Sequence, residues 1–204
     1  MNKITFHRQG VLFVVSAPSG AGKTTLINGL GADAGFVYSV SCTTRAPRQG
    51  EVDGQAYFFL NDEAFQARAA AGDFLEYAGV HGRFYGTPKS FVCGHLAAGR
   101  DVLVDVDTAG ASSIRACGDP IIRSSLVDIF LMPPGLDELR RRLTARGTES
   151  AAEIALRIDN AAGEMAQWPH YRYTIPSGTV EENVAAFRAI MTAERLSTKR
   201  LRIT

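Results

Sequence analysis

The segment from Ala17 to Thr24 is the part of the sequence whose chemical role is easiest to recognise. It reads Ala-Pro-Ser-Gly-Ala-Gly-Lys-Thr and lies between a short apolar run and a stretch with helical character. This is the context of a Walker A phosphate loop, although the strict pattern begins with glycine rather than alanine. Backbone N–H groups of such a loop surround phosphate oxygens, Lys23 reaches the β- and γ-phosphates, and Thr24 can hold a magnesium ion. We therefore predict a nucleoside triphosphate site formed by Ser19, Gly20, Ala21, Gly22, Lys23, Thr24 and Thr25.

Two arginines, Arg45 and Arg48, lie three residues apart in a loop that contains proline and glycine. Guanidinium groups are suited to gripping a phosphate from two sides, and the hydroxyls of Tyr57 and Tyr85 can donate to the same anion. The carboxylate of Glu76 can accept two hydrogen bonds, from the N1–H and the exocyclic amine of guanine. Taken singly, each tyrosine is more often a partly buried core residue and Glu76 more often a solvated acid, while Arg45 and Arg48 could be surface charges. Their joint occurrence favours a site for a phosphorylated acceptor.

One feature points to a different class of phosphate-loop protein. Asp107-Thr108-Ala109-Gly110 matches the D-x-x-G element with which GTPases sense a γ-phosphate. The N-K-x-D element that reads guanine in GTPases does not occur in the sequence. A GTPase therefore remains only a minor alternative to a kinase.

Several motifs in a fixed order make the sequence similar to the guanylate kinase family. The resemblance runs from about Gly10 to Arg195. Its motifs are A-P-S-G-A-G-K-T from Ala17, S-C-T-T-R-A-P-R-Q-G-E from Ser41, Y-F-F from Tyr57, F-L-E-Y-A from Phe74, F-Y-G-T from Phe84, D-V-D-x-x-G-A from Asp105 and R-L-x-x-R-G from Arg142. The resemblance implies an enzyme of purine nucleotide metabolism that uses ATP, with Mg²⁺ as cofactor, to phosphorylate GMP.

The resemblance also implies roles for individual residues. Those that would hold the phosphate of GMP are Arg45, Arg48, Tyr57 and Tyr85. Those that would read or adjoin the guanine edge are Ser41, Glu76, Thr87 and Asp107. Asp105 would lie near magnesium through water, while Thr24 would bind the ion directly. The catalytic arginines of a lid over the transferring phosphoryl group, acting with Lys23, would be Arg142, Arg146 and Arg157.

Other interpretations of the lid and of the whole protein stay open. Arg140, Arg141 and Arg142 can form one solvated helix face, and Glu153 with Arg157 can form an i,i+4 ion pair. A kinase of the same fold could phosphorylate another acceptor, such as a sugar phosphate. Relatives of this fold also serve as non-catalytic interaction modules, but these typically lose the phosphate loop.

The sequence departs from the family in two places. After Asp107 the family usually has a bulky apolar residue and then glutamine, where this chain has Thr108 and Ala109. The family's asparagine–acid pair, against which the donor adenine packs, is replaced within residues 173–178, and Pro176 has no N–H to donate. We therefore expect an altered acceptor site and an altered pocket for the donor base.

The elements that must position these residues alternate between strand and helix. Buried strands are predicted at Val11–Val15, Val102–Val104 and Ile129–Met132, because these runs are apolar without polar alternation. Helix starts are predicted at Asn61, Thr87-Pro88, Ser150 and Thr179, from N-cap and capping-box patterns. This alternation predicts an α/β fold, a P-loop-type parallel sheet with helices on both faces.

Two segments interrupt the alternation. We predict one domain over residues 1–204, with a core at 1–38, 88–135 and 160–204. The first interruption, about 39–87, is a small, mostly β insertion that binds the acceptor; the second, about 136–159, is a helical lid. Insertions of this kind lie over the carboxyl edge of a parallel sheet, where ligands bind.

The composition is that of a cytoplasmic protein with small-molecule substrates. Apolar residues make up 46% of the 204 residues, charged residues 21%, and the net charge is +1. No attraction to nucleic acid or to a membrane is therefore expected, and the sequence does not indicate an oligomeric state. Three scattered cysteines fit a reducing compartment rather than a disulfide framework or a metal cluster.

Overall fold

The computed structural model of the protein describes residues 5–31, 34–80, 82–147 and 150–203, with the backbone alone at Arg146. The strands are β1 (Phe6–Arg8), β2 (Leu12–Ser16), β3 (Phe36–Tyr38), β4 (Cys42–Thr43), β5 (Phe58–Phe59), β6 (Phe74–Val80), β7 (Arg83–Pro88), β8 (Asp101–Asp105), β9 (Leu126–Met132), β10 (Tyr173–Pro176) and β11 (Leu201–Ile203). The helices are α1 (Lys23–Leu30), α2 (Asp62–Ala70), α3 (Lys89–Ala97), α4 (Thr108–Ala116), α5 (Pro120–Ser125), α6 (Leu136–Arg146), α7 (Ala151–Met165) and α8 (Val180–Arg195).

A parallel sheet of five strands, in the order β10-β9-β2-β8-β3, forms the centre of the fold. Every residue of β2 is buried, and its side chains alternate between two separate core clusters: Phe13 and Val15 face one, Leu12 and Val14 the other. Strands covered on both faces need continuous apolar runs, and the three predicted runs accordingly form β2, β8 and β9. The predicted fold class is confirmed.

Helices cover both faces of this sheet. The core cluster on one face takes side chains from α1, α6, α7 and α8, among them Leu26, Leu139, Ile158 and Phe187. The cluster on the other face takes side chains from α3, α4 and α5, among them Val92, Ile114 and Ile122. The carboxyl ends of β2 and β8 are thereby held at fixed positions, and both ends carry predicted site residues.

Residues 39–87 contain a second sheet, in the order β5-β4-β7-β6, together with helix α2. This segment has its own small core. The ring of Phe65 in α2 stacks on Phe74 and on Phe84, with centroid distances of 4.5 and 5.4 Å, and Cys42 packs beside them. A segment that is mostly β was predicted here, and its independent core allows it to present side chains toward the main sheet.

The predicted N-cap at Thr87 is wrong. Helix α3 begins at Lys89 without a side-chain cap, whereas Thr87 lies in β7 as the cross-strand partner of Glu76. The Thr87 hydroxyl donates to Glu76 Oε1 at 2.6 Å. Strand pairing places Thr87 within β7, one residue before the Pro88 N-cap, and directs its hydroxyl to the half-buried carboxylate of Glu76 in a charge-assisted bond. The other predicted helix starts have side-chain caps from Asn61, Ser150 and Thr179.

The remaining elements lie at the edges of the fold. The segment predicted as a helical lid forms α6 and α7, and α7 continues to Met165, with Ile154 and Ile158 buried in the core. Strands β1 and β11 form an antiparallel ribbon near the two ends of the chain. In the described part of the chain, none of the helices has the length and apolar character needed to cross a membrane.

Candidate active site

The phosphate loop joins β2 to α1 and has the conformation that its glycines permit. Gly20 and Gly22 have φ angles of 88° and 99°, in the left-handed region that other residues rarely adopt. Lys23 begins α1, and its ammonium group donates to the carbonyl of Val106 at 2.9 Å and pairs with the carboxylate of Asp105. The lysine is thus held between the loop and the end of β8, where phosphate oxygens would meet it.

A cavity of about 290 Å³ opens in front of this loop. The predicted loop residues that line it are Ser19, Gly20, Gly22, Lys23, Thr24 and Thr25. Ala21 lines a neighbouring cavity. Asp107 and Glu164 also line the loop cavity. Burial raises the pKa of Glu164, and the charge of Asp107 raises it further. A hydrogen bond from the Ser19 N–H and the charge of Lys23 oppose this rise. Sequence reasoning missed Glu164, since no local motif marks it, although it lies on the same helix as Arg157.

A second cavity, of about 300 Å³, lies between the main sheet and the small sheet. The predicted residues that line it are Lys23, Ser41, Tyr57, Glu76, Tyr85, Asp105 and Asp107. Two lining residues, Tyr38 and Ser39, were not predicted. Tyr38 is the last residue of the edge strand β3, and Ser39 follows it. Residues separated by more than 80 positions in the chain therefore share one cavity, and we call it the acceptor cavity.

Glu76 lines the acceptor cavity with a carboxyl group whose pKa is raised. Burial raises its pKa, Asp107 raises it further, and the hydrogen bonds from Thr87 oppose the rise. A Cβ atom placed on Gly110 would lie 3.1 Å from Glu76 Oε2, so the glycine leaves room for the carboxylate beside α4. The carboxylate is thereby fixed in place with acceptor positions that a ligand can use.

Asp107 has a structural role that the D-x-x-G interpretation did not include. It is the N-cap of α4, and its Oδ1 accepts a hydrogen bond of 2.7 Å from the N–H of Gly110. Aspartate is a favoured N-cap because it satisfies a helix N–H that otherwise has no partner. The match to a GTPase element therefore has a local explanation in helix capping.

The two predicted phosphate-gripping arginines do not line the described acceptor cavity, and Arg45 adjoins its wall through Tyr57. Arg45 contacts the ring of Tyr57, 5.4 Å from its centroid, and its guanidinium donates to Glu51 at 2.8 Å. Arg48 is exposed, and its backbone N–H donates to the other oxygen of Glu51 at 2.7 Å. These hydrogen bonds, from Arg45 first and then Arg48, lower the pKa of Glu51. Glu51 thus shapes the loop; it ends the quoted motif, but sequence reasoning gave it no role.

The predicted lid arginines differ in what the structure shows. Arg142 donates to Glu138 at 2.7 Å and to the carbonyl of Ala21 at 3.3 Å, so it contacts the phosphate loop rather than lying on a solvated face. Arg157 donates to the hydroxyl of Ser19 at 2.7 Å. The side chain of Arg146 lies outside the described residues. Arg141 and Arg142 lower the pKa of Glu138 to about 2.

Two further cavities adjoin the loop. One of about 360 Å³ lies beside Ala21 and is lined in part by Arg142, Ser177 and Asn183. The amide oxygen of Asn183 accepts a hydrogen bond of 2.9 Å from the N–H of Gly178. Pro176 is tolerated because β10 is an edge strand, which among the described strands pairs with β9 alone, and proline fits the edge of a sheet.

The residues predicted to hold magnesium also lie together. Thr24 and Asp105 line one cavity of about 740 Å³ beside α1 and β3. Hydroxyl and carboxylate oxygens are the ligands that Mg²⁺ prefers, so this pair fits the ion. Within residues 5–31, 34–80, 82–147 and 150–203, no cluster of three or more His, Cys, Asp or Glu offers an alternative all-protein site.

A phosphate loop at the carboxyl end of a central parallel strand shares a cavity with a half-buried carboxylate of a second sheet, which is the arrangement of a P-loop kinase that acts on nucleotides. The comparisons with known proteins narrow this class. The family model described as "Guanylate kinase" matches residues 9–194. The chain belongs to the guanylate kinase family.

Individual relatives agree with this assignment. The chain is 45% identical over 201 residues to a guanylate kinase of Sphingopyxis alaskensis, covering 98% of this chain and 89% of the relative. It is 44% identical over 191 residues to one from Novosphingobium aromaticivorans, covering 93% and 85% of the two chains. The crystal structure of guanylate kinase from Anaplasma phagocytophilum superposes with a TM-score of 0.74 at 32% identity, covering 97% of this chain and 92% of that one.

Proposed function

We propose that the protein transfers the γ-phosphate of ATP to GMP, giving ADP and GDP. The observation that carries the proposal is that Lys23 of the phosphate loop and Glu76 of the small sheet line the same acceptor cavity. A donor phosphate held at Lys23 would then meet an acceptor whose base is held at Glu76. Membership of the guanylate kinase family supports the same reaction.

The acceptor phosphate is held by two arginines and two tyrosines. Arg45 and Arg48 supply two positive charges, and the hydroxyls of Tyr57 and Tyr85 supply neutral donors. The edge-to-face contact of the two tyrosine rings, with centroids 5.9 Å apart, keeps both hydroxyls near one position. Glu51 orients Arg45, so the guanidinium is ready for the phosphate before GMP arrives.

The acceptor base is read by Glu76 together with Ser41, Thr87 and Asp107. The ionised carboxylate of Glu76 accepts hydrogen bonds from the N1–H and the amine of guanine. Adenine has no N1–H, so AMP leaves a buried charge without its partner, a loss of about 1–3 kcal/mol or more. Thr87 orients the carboxylate by its hydrogen bond of 2.6 Å.

Phosphoryl transfer itself needs positioning and charge neutralisation more than covalent chemistry. Lys23 neutralises charge on the donor phosphates, and Arg142, Arg146 and Arg157 do so on the transferring group. The acceptor phosphate needs no general base, because its second pKa, about 6 for a phosphate monoester, leaves it mostly ionised at neutral pH. Arginines on α6 and α7 can also exclude water, which would otherwise compete for the phosphoryl group.

Magnesium belongs with the donor. Thr24 would hold it directly, and Asp105 would hold it through water. When bound, Mg²⁺ neutralises charge on the β- and γ-phosphate oxygens. Asp105 pairs with Lys23 in this structure, so the same carboxylate also keeps the lysine beside the loop.

The donor base would enter the cavity of about 360 Å³ beside Ala21. Its wall contains Ser177 and Gly178, which belong to the segment 173–178 that departs from the family's asparagine–acid pair. The side chain of Asn183 is engaged with Gly178, which leaves few side-chain groups to read a base.

We also propose that the reaction takes place in the cytoplasm, since all three cysteines are free thiols.

The proposal is tested by an assay that couples ADP release to NADH oxidation, with MgATP as donor. GMP, dGMP, AMP, CMP and UMP are compared as acceptors. We expect turnover with GMP and dGMP, and a loss of about 100-fold or more in kcat for Lys23→Ala, as for removal of a preorganised charge at a transition state.

Lys89→Ala is the matched control. Lys89 lies on α3, paired with Asp119 and away from both cavities, so its loss should leave kcat near the wild-type value. A folded protein that turns over none of the five nucleotides would contradict the proposal. It would redirect the search to other phosphorylated acceptors, such as sugar phosphates.

A further inference from the structure

Ser39 has a buried hydroxyl that the interactions described so far leave unused. The residue is 4% exposed, and its Oγ has no hydrogen-bond partner among the described residues. Its backbone N–H is engaged, donating to the carbonyl of Leu103 at 2.9 Å. A buried hydroxyl without a partner is costly and uncommon in folded proteins, so this one needs an explanation.

The position of Ser39 supplies the explanation. The residue follows the edge strand β3, at the carboxyl end of the parallel sheet, and it lines the acceptor cavity. Ligands of open α/β sheets bind at this end of the strands. A cavity that will be filled by a polar ligand is where a protein can leave a hydroxyl without an internal partner.

The neighbouring groups indicate which part of the acceptor the hydroxyl meets. Ser39 lines the cavity together with the carboxylates of Glu76, Asp105 and Asp107, of which Glu76 is half-buried. The arginines that suit a phosphate are absent from the residues that line the described cavity; Arg45 contacts the ring of Tyr57, and Arg48 is exposed. The ionised carboxylate of Glu76 only accepts hydrogen bonds, so the carbonyl oxygen of guanine needs hydroxyl donors, and Ser39 adds a buried one to that of Ser41.

We propose that the hydroxyl of Ser39 hydrogen-bonds to the purine base of the acceptor and is a further determinant of acceptor binding. The inference rests on the proposed function, because it takes GMP as the acceptor. It adds a residue that contacts the substrate and that neither the motifs nor the helix and strand pattern singled out. When the acceptor binds, the hydroxyl of Ser39 gains the hydrogen-bond partner that it otherwise lacks.

The test compares Ser39→Ala with the wild type by calorimetric titration with GMP, and separately with MgATP. Loss of one neutral hydrogen bond should weaken GMP binding about fivefold and leave MgATP binding unchanged. The free variant should have a Tm equal to or above that of the wild type, because the substitution removes an unpartnered buried polar atom. Weaker substrate binding without lower stability is a combination that a merely structural serine would not produce.

Ser125→Ala is the matched control, since Ser125 is also buried but accepts a hydrogen bond of 3.0 Å from Gln9. It should lower the Tm and leave GMP binding unchanged. Ser39→Cys, nearly the same size with a weak donor, serves if the alanine variant does not fold, and it should also weaken GMP binding.

Two ligand variants locate the contact. The defect of Ser39→Ala should persist with dGMP, which lacks the ribose 2′-hydroxyl, and with guanosine, which lacks the phosphate. A defect that disappears with either ligand would place the contact on the sugar or the phosphate and overturn the proposal. Equal GMP binding by wild type and Ser39→Ala would also overturn it, whereas failure of the wild type to bind GMP would overturn the proposed function itself.

Discussion

The chemistry of the acceptor site depends on one half-buried carboxylate, that of Glu76. Glu76 is kept in place by Thr87 across the β6–β7 pair, and Gly110 leaves room for it beside α4. Burial and Asp107 raise the pKa of Glu76, so its carboxylate becomes protonated at a higher pH than that of an exposed glutamate. The charged form is the one that accepts hydrogen bonds from guanine.

This gives a prediction about pH. Guanine recognition needs the ionised carboxylate, so it is present above the pKa of Glu76 and is lost as the pH falls through that pKa. Because the pKa is raised, the loss should begin at a higher pH than for an ordinary glutamate. We expect kcat/KM for GMP to decline on acidification more steeply in the wild type than in Glu76→Gln.

The ratio of kcat/KM for GMP between the wild type and Glu76→Gln is taken at each pH. The GMP phosphate titrates equally in both measurements, so its effect cancels in this ratio. Glu76→Gln should also lower the preference for GMP over AMP about tenfold at neutral pH. An unchanged preference, or identical pH profiles, would remove Glu76 from base recognition.

At the scale of single elements, capping decides where the helices that carry the site begin. Thr179 and Glu182 form a complete capping box at the start of α8, in which the threonine side chain accepts from one N–H and the glutamate from another. Helix α8 then packs Phe187 and Met191 into the core beside α1, the helix that follows the phosphate loop. The start of α8 also adjoins Gly178, at the wall of the donor cavity.

Thr179→Ala should therefore lower the free energy of unfolding by about 1 kcal/mol, the usual value of an N-cap side chain. Urea denaturation followed by circular dichroism measures this change. Thr192→Ala on the same helix is the control: Thr192 is exposed and bonds only to the carbonyl of Arg188, so its loss should change stability by less than about 0.5 kcal/mol. Equal effects of the two substitutions would show that the capping box contributes nothing.

For the molecule as a whole, buried carboxylates join elements that are distant in the chain. Asp101, 1% exposed at the start of β8, pairs with Arg8 of β1 and with Arg195 of α8, the latter at 2.7 Å. Its side chain also accepts from the N–H of Val11 at 2.8 Å. Glu194 forms a similar network with Arg200 and Arg172. These two acids tie both ends of the chain to the central sheet.

Removing Asp101 breaks two ion pairs and leaves the N–H of Val11 without its partner. We expect Asp101→Ala to cost about 3–5 kcal/mol of stability, the range for removing one member of a buried ion pair. Thermal and urea unfolding measure the change. Asp137→Ala, at an exposed position in the first turn of α6, should change stability by less than about 0.5 kcal/mol, and an equally small effect at Asp101 would contradict the prediction.

Local signals in the sequence determined the framework of the protein. The phosphate loop depends on glycines at positions 20 and 22, whose positive φ angles are a property of the residue type. The apolar runs predicted the buried strands, and the patterns at Asn61, Ser150 and Thr179 predicted helix caps, because each signal lies within a few residues. The motifs established the resemblance to the guanylate kinase family, and that resemblance predicted GMP as the acceptor.

The tertiary structure decided what depends on distant neighbours. Thr87 was predicted to cap a helix and is instead a partner of Glu76, because strand pairing brings the half-buried carboxylate to its hydroxyl. Arg157 meets Ser19 across 138 positions of chain. Ser39 and Glu164 carried no motif and became candidates only through the cavities that they line. Hydrogen bonds and burial across such distances depend on how the sheets and helices pack, and no local pattern of residues encodes that packing.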